Sequence, residues 1–312
     1  MHTLIKEILA IAIRFSGIPF LIREVFCRNK VTILIYHDPQ PDIFEKHRKY
    51  LLKHYNFIAL DELVNALHNG DWSNIPPKSL VITIDDGHAG NYNLLPIFKA
   101  HKLIPTIYLC SQIVNTNRGL WFKVDGIRER RGKKNRELFK RIPNRERLAR
   151  LKKEYDFHPQ KEFSDRQALN RHELIEMGLY VDFQAHAQFH PILTTCTDSE
   201  CQQEIEGGKR DLEASLDVTC SHFCYPNGDY TEREINIVKE CGYKSARTSD
   251  CGWNDVATHP YKLKAMDITN DASINQLVAQ MSGAFQYLKY AIEGSFNGTH
   301  PTIVMDEKDG KQ

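Results

Sequence analysis

The sequence lacks an excess of charge of either sign. Its 312 residues include 41 Lys and Arg against 40 Asp and Glu, so the formal net charge is +1. This balance disfavours both a globally basic nucleic-acid-binding protein and a strongly acidic disordered chain, and nucleic acid is not expected as a partner. A hydrophobic content of 41% is sufficient for one large domain with a buried core.

Long hydrophobic runs are also missing. The N-terminal segment, residues 1–30, is rich in Leu, Ile and Phe, but charged residues interrupt it before the ~18 consecutive apolar residues of a membrane span accumulate. Its apolar residues recur at helical spacing, namely Leu4, Ile8, Ile11, Phe15 and Ile18. The pattern predicts an amphipathic helix that either lies on an anionic membrane surface or packs on the domain's own core.

No secretory signal with a small-residue cleavage site precedes the eight cysteines. We therefore expect reduced thiols and a cytoplasmic protein, either free or peripheral at the cytoplasmic surface of the membrane. Cys220 and Cys224 are closely spaced but have no matching second pair, which favours buried core residues over a thiolate metal site.

Short apolar strands alternate with helical segments from residue 31 onward. The predicted strands are VTILIY (31–36), FIAL (57–60), SLVITI (79–84), PTIYL (105–109), LYVDFQ (179–184), HFCY (222–225), YKSART (243–248) and YKLKAMDI (261–268). One intervening helix is predicted to begin at Asp61 as its cap and to close at Gly70. Such alternation predicts an α/β protein whose parallel sheet is covered on both faces, either a barrel or a doubly wound sheet.

Polar or turn residues stand at the ends of four of these strands. They are His37 after VTILIY, Asp85 and Asp86 after SLVITI, His186 after VDFQ, and Pro226 after HFCY. Because parallel strands place their carboxyl ends at one edge of a sheet, these residues are expected to converge there.

The two adjacent carboxylates favour a cation, because like charges in a poorly solvated cleft are costly unless an ion or a proton separates their roles. His186 and His190, in AHAQFHP, are four residues apart, a spacing that brings two imidazoles together on one helical turn. One Asp and two His would supply three ligands and leave positions for water and substrate, as in catalytic metal sites. The second carboxylate would then be free to act as a base.

Three motifs, ITIDDGHAGN, AHAQFHP and FCYPNGDY, resemble in order those of the polysaccharide deacetylases, the NodB-homology group or carbohydrate esterase family 4. The family forms are TFDDG, H-(S/T)-x-x-H-P and Y-P-x-G, and the similarity spans about residues 31–268. The resemblance implies a distorted (β/α) barrel and hydrolysis of N-acetyl groups on amino sugars. It also implies one divalent metal ion, with zinc favoured over cobalt, nickel or manganese.

The resemblance also implies roles for individual residues. Asp85 would be the general base, and Asp86, His186 and His190 would hold the metal. The backbone N–H of Asn227 would bind the oxyanion. Tyr225 beside it would contact the substrate, and Trp253 in SDCGWND would either line the acyl pocket or pack in the core. The family's C-terminal histidine motif is not recognisable after Ile268, so we assign the general acid to His37 because it ends the first strand; the alternative is a structural histidine hydrogen-bonded beneath the rim.

Two departures from the family pattern concern the cation that supports the base. Cys224 stands where the third motif often has Arg, and Ala265 stands where a later Arg is common. Either some other cation supports Asp85, or the pKa of Asp85 is lowered less than in the family. The same departures favour, as an alternative, a noncatalytic glycan-binding relative. A Mg²⁺-dependent phosphoryl transferase is a third hypothesis, but it leaves the histidines unexplained, and no GxxxxGK loop is present.

The predicted catalytic domain covers residues 31–290, with a basic insertion at about 115–172 and a tail at 291–312. Within the insertion, residues 123–153 hold 14 Lys and Arg against 4 Asp and Glu. These cations would contact an anionic glycan, a lipid pyrophosphate carrier or the membrane, or would form a solvated helical face. The resemblance implies an N-acetylated glycan or a lipid-linked amino sugar as substrate, and the basic insertion and the amphipathic start add peripheral membrane contact as an expectation.

Overall fold

A computed structural model describes residues 2–124, 127 and 133–284. The predicted tail at 291–312, the end of the predicted domain and part of the basic stretch lie outside these residues. The strands are β1 (Val31–Tyr36), β2 (Asn56–Phe57), β3 (Ser79–Ile84), β4 (Thr106–Leu109), β5 (Asp182–Ala185), β6 (His222–Cys224), β7 (Ser245–Arg247) and β8 (Met266–Asp267).

All strand pairs of this sheet are parallel, in the order β7-β6-β5-β4-β3-β1-β8, with β2 added beside β3. The chain before β8 joins the two ends of the sheet, because Leu263 donates to Ala246 O at 3.0 Å and accepts from Thr248 N at 2.9 Å. The sheet is thus curled into a distorted half-barrel, whose two ends are linked by the segment around Leu263 and which is surrounded by helices. This confirms the predicted fold class.

Helices cover the sheet and form the connections between strands. They are α1 (His2–Phe15), α2 (Ile18–Leu21), α3 (Pro41–Leu52), α4 (Leu60–Asn69), α5 (Leu95–His101), α6 (Lys133–Phe139), α7 (Asn144–Tyr155), α8 (Arg171–Met177), α9 (Asp198–Leu216), α10 (Glu232–Glu240) and α11 (Ile274–Met281). Short 3-10 turns follow several strands and carry polar residues of the site.

Every residue of β1 and β3 is buried, which explains why both strands are apolar without alternation. Side chains on successive β1 positions enter different clusters. Ile33 and Ile35 pack with Val81 in one cluster, whereas Leu34 and Tyr36 belong to the large core beneath the helices. The sheet therefore holds the ends of β1 and β3, and the residues that follow them, in a rigid setting.

The predicted strand FIAL was too long. Only Asn56 and Phe57 pair with β3, and Leu60 already begins α4. The cap of α4 is Ala59, whose N–H donates to Glu62 Oε1 at 2.8 Å, so the predicted capping role of Asp61 was wrong. Asp61 instead lies 2.9 Å from His222 Nε2.

The N-terminal helix α1 packs on α11 through one face. Ala10 and Ile13 are buried against Ala279, and Glu7 accepts hydrogen bonds from Ser273 and Asn275. Its other face is exposed. In the part of the chain that the structure describes, no helix is both long enough and apolar enough to cross a membrane.

The insertion forms a small core of its own around Trp121, Phe139, Leu151 and Phe157, which packs on Ile192. It is therefore anchored beside the loop that carries the two predicted metal-binding histidines. All eight cysteines are free, as the sequence predicts.

Candidate active site

A cavity of about 700 Å³ lies at the carboxyl ends of the central strands. Its walls bring together most of the predicted site residues, namely His37, Asp85, Asp86, His186, His190, Tyr225 and Asn227. The convergence follows from the parallel sheet, since these residues come after β1, β3, β5 and β6.

Asp86 lies at the centre of a buried carboxylate–imidazole group. Its Oδ1 is 3.6 Å from His186 Nε2 and 3.5 Å from His190 Nε2, and Oδ1 has no hydrogen-bond partner among the described residues. Oδ2 lies 3.1 Å from Nε2 of His88, whose Nδ1 is 3.0 Å from Lys123 Nζ. One oxygen of Asp86 is thus held by His88, while the other faces two imidazole nitrogens.

Hydrogen bonding fixes the tautomer of His186. Its Nδ1–H donates to Cys224 O at 2.8 Å, which leaves the lone pair on Nε2 pointing toward Asp86. Burial lowers the pKa of His186, although the two neighbouring carboxylates oppose that effect, and burial lowers the pKa of His190 to about 3. Both imidazoles are neutral at physiological pH, so their contacts with Asp86 are not ion pairs.

The predicted helical turn between the two histidines was wrong. His186 directly follows β5, and the chain to His190 is an irregular loop in which Ala187 (φ 62°) and His190 (φ 56°) are left-handed. The rings nevertheless approach, with centroids 4.7 Å apart. The loop rather than an α-helix brings them together.

Helix α9 supports this loop. A Cβ added to Gly208 would come within 3.0–3.2 Å of Ala187 backbone atoms, so glycine permits an approach that any larger residue would tighten until the loop shifts by a few tenths of an ångström. Glu204, four residues earlier on the helix, accepts hydrogen bonds from the N–H groups of Gln188 and Phe189, both at 2.9 Å. Trp121 Nε1 donates to His190 O at 3.0 Å and completes the support.

Asp85 is paired with a cation that the sequence analysis did not identify. Arg247, at the end of β7, donates from Nη2 to Asp85 Oδ2, and its side chain is buried. Burial alone would raise the pKa of Asp85, but the charge of the Arg247 guanidinium outweighs it and lowers the pKa below its usual value. Asp85 Oδ1 is buried without a hydrogen-bond partner in the described structure.

Small residues make room for Arg247. Its Nη2 lies 2.7 Å from Cys224 Sγ, and its guanidinium lies over the Tyr108 ring, 5.3 Å from the centroid. Cys224 and Ala265 belong to the same buried cluster as Tyr108. Arg247 of β7 therefore supplies the cation for Asp85. In the family pattern an Arg stands instead at the positions that Cys224 and Ala265 occupy here.

The donor set fits a divalent cation at Asp86, His186 and His190. Their ligand atoms lie within 4.8 Å of one another, and Asp86 Oδ1 and the two Nε2 atoms are too far apart to satisfy one another directly. A second group, Asp85, His186 and Cys224, is equally compact. It suits a cation less well, because Arg247 occupies Asp85 Oδ2 and burial raises the pKa of the Cys224 thiol.

His37 shares the cavity with both carboxylates. Asn91 Nδ2 donates to its carbonyl at 2.7 Å, and Asn270 Oδ1 accepts its N–H at 3.3 Å, so its backbone is held from two sides. Its side chain lines the cavity together with Asp85 and Asp86.

Of the three predicted substrate contacts, Asn227 is the best placed. It lies in a left-handed turn (φ 60°), and its Nδ2 donates to Asp229 Oδ2 at 2.6 Å. Tyr225 also lines the cavity, but its ring stacks on Tyr230 and its hydroxyl donates to Tyr261 O at 3.2 Å. Trp253 is not brought to this cavity, since it lines a separate one with residues of the N-terminal segment.

Sequence reasoning missed Arg247, His88 and Glu204. His88 is part of the quoted motif ITIDDGHAGN, two residues after Asp86, and this proximity was the available signal. Arg247 lies in the predicted strand YKSART, which also holds Lys244, and a cation buried in such a strand requires a buried carboxylate partner.

The family model for polysaccharide deacetylase matches residues 73–246, more than half of the chain. No curated protein sequence matches the chain.

Solved structures of deacetylases have a similar fold. Streptococcus pyogenes deacetylase PplD, in complex with acetate, has a TM-score of 0.58 at 19% identity, covering 81% of this chain and 98% of that one. IcaB from Ammonifex degensii has a TM-score of 0.58 at 16% identity, covering 81% and 97%. A de-N-acetylase from Aggregatibacter actinomycetemcomitans has a TM-score of 0.56 at 14% identity, covering 80% and 99%. At these identities the likeness extends to the fold.

Proposed function

Because this chain belongs to the polysaccharide deacetylase family, we propose that it is a divalent-metal-dependent hydrolase. It removes N-acetyl groups from an amino sugar in a glycan or a lipid-linked glycan. The observation that carries this proposal is the position of Asp85 beside the Asp86–His186–His190 group, with one carboxylate oxygen free and the other held by Arg247.

Asp86, His186 and His190 would hold the ion, with zinc favoured and cobalt, nickel or manganese as alternatives. When bound, such an ion lowers the pKa of a water molecule and polarises the amide carbonyl. His88 orients the Asp86 carboxylate, and the Cys224 carbonyl keeps the Nε2 lone pair of His186 available.

Asp85 takes up the proton released when water attacks the acetyl carbonyl, through its free Oδ1. Arg247 keeps Asp85 ionised and fixes the other oxygen, so the free oxygen has a defined direction. The side chain of Asn227 is engaged with Asp229, and its backbone N–H donates to the oxyanion. His37 then gives a proton to the leaving nitrogen, which yields acetate and a free amine.

Acetate release tests this proposal. The protein is stripped with a chelator, reloaded separately with Zn²⁺, Co²⁺, Ni²⁺ or Mn²⁺, and incubated with N-acetylated oligosaccharides and sugar phosphates. We expect metal-dependent acetate release that Asp85→Asn reduces by about 10²-fold or more without loss of bound metal. Glycan binding with no acetate from any substrate would instead favour the noncatalytic relative.

A second proposal concerns location at the cytoplasmic surface of the membrane. Most exposed large hydrophobic side chains of the described residues lie in the N-terminal segment, namely Leu4, Ile5, Ile8, Ile11, Phe15, Ile18, Phe20, Leu21, Val25 and Phe26. Residues 2–30 also carry five Lys or Arg against two Glu. An apolar face with a positive excess is suited to an anionic lipid surface.

Vesicle flotation tests this location. We expect the protein to float with vesicles containing an anionic phospholipid, more weakly with neutral vesicles and more weakly at high salt. Ile8→Asn combined with Phe15→Asn should abolish flotation, whereas Leu179→Asn, at an exposed apolar position elsewhere, should not. A dimer that this double variant dissociates, with no flotation of the parent protein, would assign the face to a second copy instead.

A further inference from the structure

The basic insertion places two cations on the wall of the active-site cavity. Arg136, in α6, and Lys140, just after its end, are four residues apart and therefore one helical turn from each other. Both line the cavity that contains Asp85, His186 and His190. The insertion is fixed in this position, because Phe139 between them is buried in a small core that packs on Ile192.

Arg136 and Lys140 are not neutralised by strong ion pairs with carboxylates of the described residues. Within the described part of the chain, Arg136 forms no ion pair, and its Nε is buried without a hydrogen-bond partner. Lys140 Nζ lies 3.5 Å from Glu137 Oε1, but the Glu137 side chain is 49% exposed, and exposed pairs of this kind contribute little.

Four acidic residues line the cavity, Asp85, Asp86, Asp229 and Asp267, and the first three have partners other than Arg136 and Lys140. Asp85 is paired with Arg247, and Asp86 faces the imidazoles. Asp229 accepts from Asn227 Nδ2 at 2.6 Å. Lys140 is near enough to oppose, in part, the burial that raises the pKa of Asp229, so it extends a positive field into the cavity.

Other cations of the insertion have structural roles. Arg147 is buried with its guanidinium over Trp121, 5.2 Å from the ring centroid. Arg150 pairs with Glu146 on the surface of α7 at 2.7 Å. Arg136 and Lys140 differ from both, since they face the space that the substrate would occupy.

We propose that Arg136 and Lys140 form a subsite for an anionic group of the substrate, a phosphate or a carboxylate carried close to the acetamido group. The inference rests on the proposed deacetylase function and deepens it by naming the substrate class. A guanidinium matches the two oxygens of either group, and the lysine adds a mobile point charge one turn away. A neutral N-acetylated sugar would leave Arg136 without an anionic partner and Lys140 with only its exposed pair to Glu137.

Matched substrate pairs test the subsite. One pair is N-acetylglucosamine 1-phosphate and methyl N-acetylglucosaminide, which differ in charge. A second pair is a disaccharide of N-acetylglucosamine with glucuronic acid and the same disaccharide with glucose. For the parent protein we expect kcat/KM to favour the charged member by about 10-fold or more, mainly through KM, with the preference decreasing at high salt. The pair with the larger preference identifies phosphate or carboxylate.

The variants Arg136→Gln, Lys140→Gln and their combination should lose this preference while neutral substrates react within about 2-fold of the parent rate. Arg150→Gln removes a cation of the same insertion outside the cavity and should change nothing. Equal kcat/KM for charged and neutral substrates in the parent, or an unchanged preference in the double variant, would overturn the subsite but leave deacetylation intact.

Failure of deacetylation is distinguishable. If no substrate releases acetate, calorimetric titration with N-acetylglucosamine 1-phosphate still tests the subsite. Binding that weakens about 10-fold or more in the double variant, and not in Arg150→Gln, would support it. Equal binding by all three proteins would overturn it.

Discussion

Arg247, at the end of β7, donates to Asp85, which directly follows β3, and so one oxygen of the carboxylate is held while the other stays free. The two residues are 162 positions apart in sequence. The guanidinium also lies 2.7 Å from Cys224 Sγ, and Cys224 belongs to the same buried cluster as Ala265. The pair is the means by which this chain supports its proposed base without the arginines of the family pattern.

Replacing Arg247 by Met should change the pH dependence of the reaction. Arg247 lowers the pKa of Asp85, so its removal raises that pKa, and the acid limb of kcat/KM should move to higher pH. Removing one partner of a buried pair should also lower the free energy of unfolding by about 3–5 kcal/mol. The pH–rate profile and urea unfolding measure the two effects. An unchanged acid limb in a folded variant would contradict the role of Arg247.

Moving the arginine from position 247 to position 265 should partly restore the activity that is lost when Arg247 is replaced. Ala265 lies in the buried cluster with Cys224 and corresponds to the position where the family pattern often has Arg. Arg247→Ala combined with Ala265→Arg should therefore recover part of the activity that Arg247→Ala loses, and return the acid limb toward lower pH. Ala265→Arg alone should be poorly folded, because two guanidinium groups would then compete for one carboxylate. No recovery in a folded double variant would show that position within the barrel, not charge alone, is required.

His88→Ala should weaken metal binding without removing a ligand. His88 holds Asp86 Oδ2 at 3.1 Å and links it to Lys123. Loss of such an orienting partner typically reduces metal affinity by about 10–100-fold. Competition with a fluorescent chelator measures this affinity. His88→Gln retains a donor and should lie between the parent protein and His88→Ala; an affinity equal to the parent's in His88→Ala would contradict the orienting role.

Gly208→Ala should have opposite effects on the stability of α9 and on the geometry of the metal site. Alanine favours a helix by about 1 kcal/mol over glycine, but its Cβ would meet the Ala187 backbone at 3.0–3.2 Å. We therefore expect weaker metal binding and lower kcat, because the loop between His186 and His190 is displaced. Ser215→Ala, near the end of the same helix, serves as the control. Gain of stability with unchanged metal affinity would show that the loop accommodates the added methyl group.

Glu204 should make the stability of the fold depend on pH. Burial raises its pKa from 4.5 to about 7, against the opposing effects of the Phe189 and Gln188 N–H groups and of Arg147. The folded state therefore binds a proton between these values that the unfolded state releases, and this contribution to stability is lost as pH rises through 7. Glu204→Gln keeps an acceptor but cannot ionise. Its free energy of unfolding relative to the parent should rise from pH 5 to pH 8, measured by urea unfolding; a constant difference would contradict the raised pKa.

The strands and the site region are predictable from sequence because they follow strong rules. β1 and β3 are buried on both sides and therefore read as unbroken apolar runs. Parallel strands put their carboxyl ends together, so the residues after them share one cavity, as found for His37, Asp86 and His186. The family resemblance then supplied the order of the motifs.

The remaining features depend on contacts that local pattern does not encode. His186 and His190 have helical spacing, but they are joined by a loop with left-handed residues. This loop is stabilised by α9, where Gly208 allows a close approach and Glu204 accepts hydrogen bonds from the loop backbone. Trp253 was expected at the site because of its motif. It lies instead in a cavity beside the N-terminal segment, where Pro19 and Ile22 contribute to the walls. Tertiary packing decided both positions.

Anomalous diffraction from crystals grown with Zn²⁺, recorded on both sides of the zinc absorption edge, tests the metal site most directly. We expect one ion per chain, within about 2.0–2.2 Å of an Asp86 oxygen and of Nε2 of His186 and His190, with Asp85 unbound and still paired with Arg247. An ion bonded to Asp85 and Cys224, or no anomalous peak between the two imidazoles, would contradict the account.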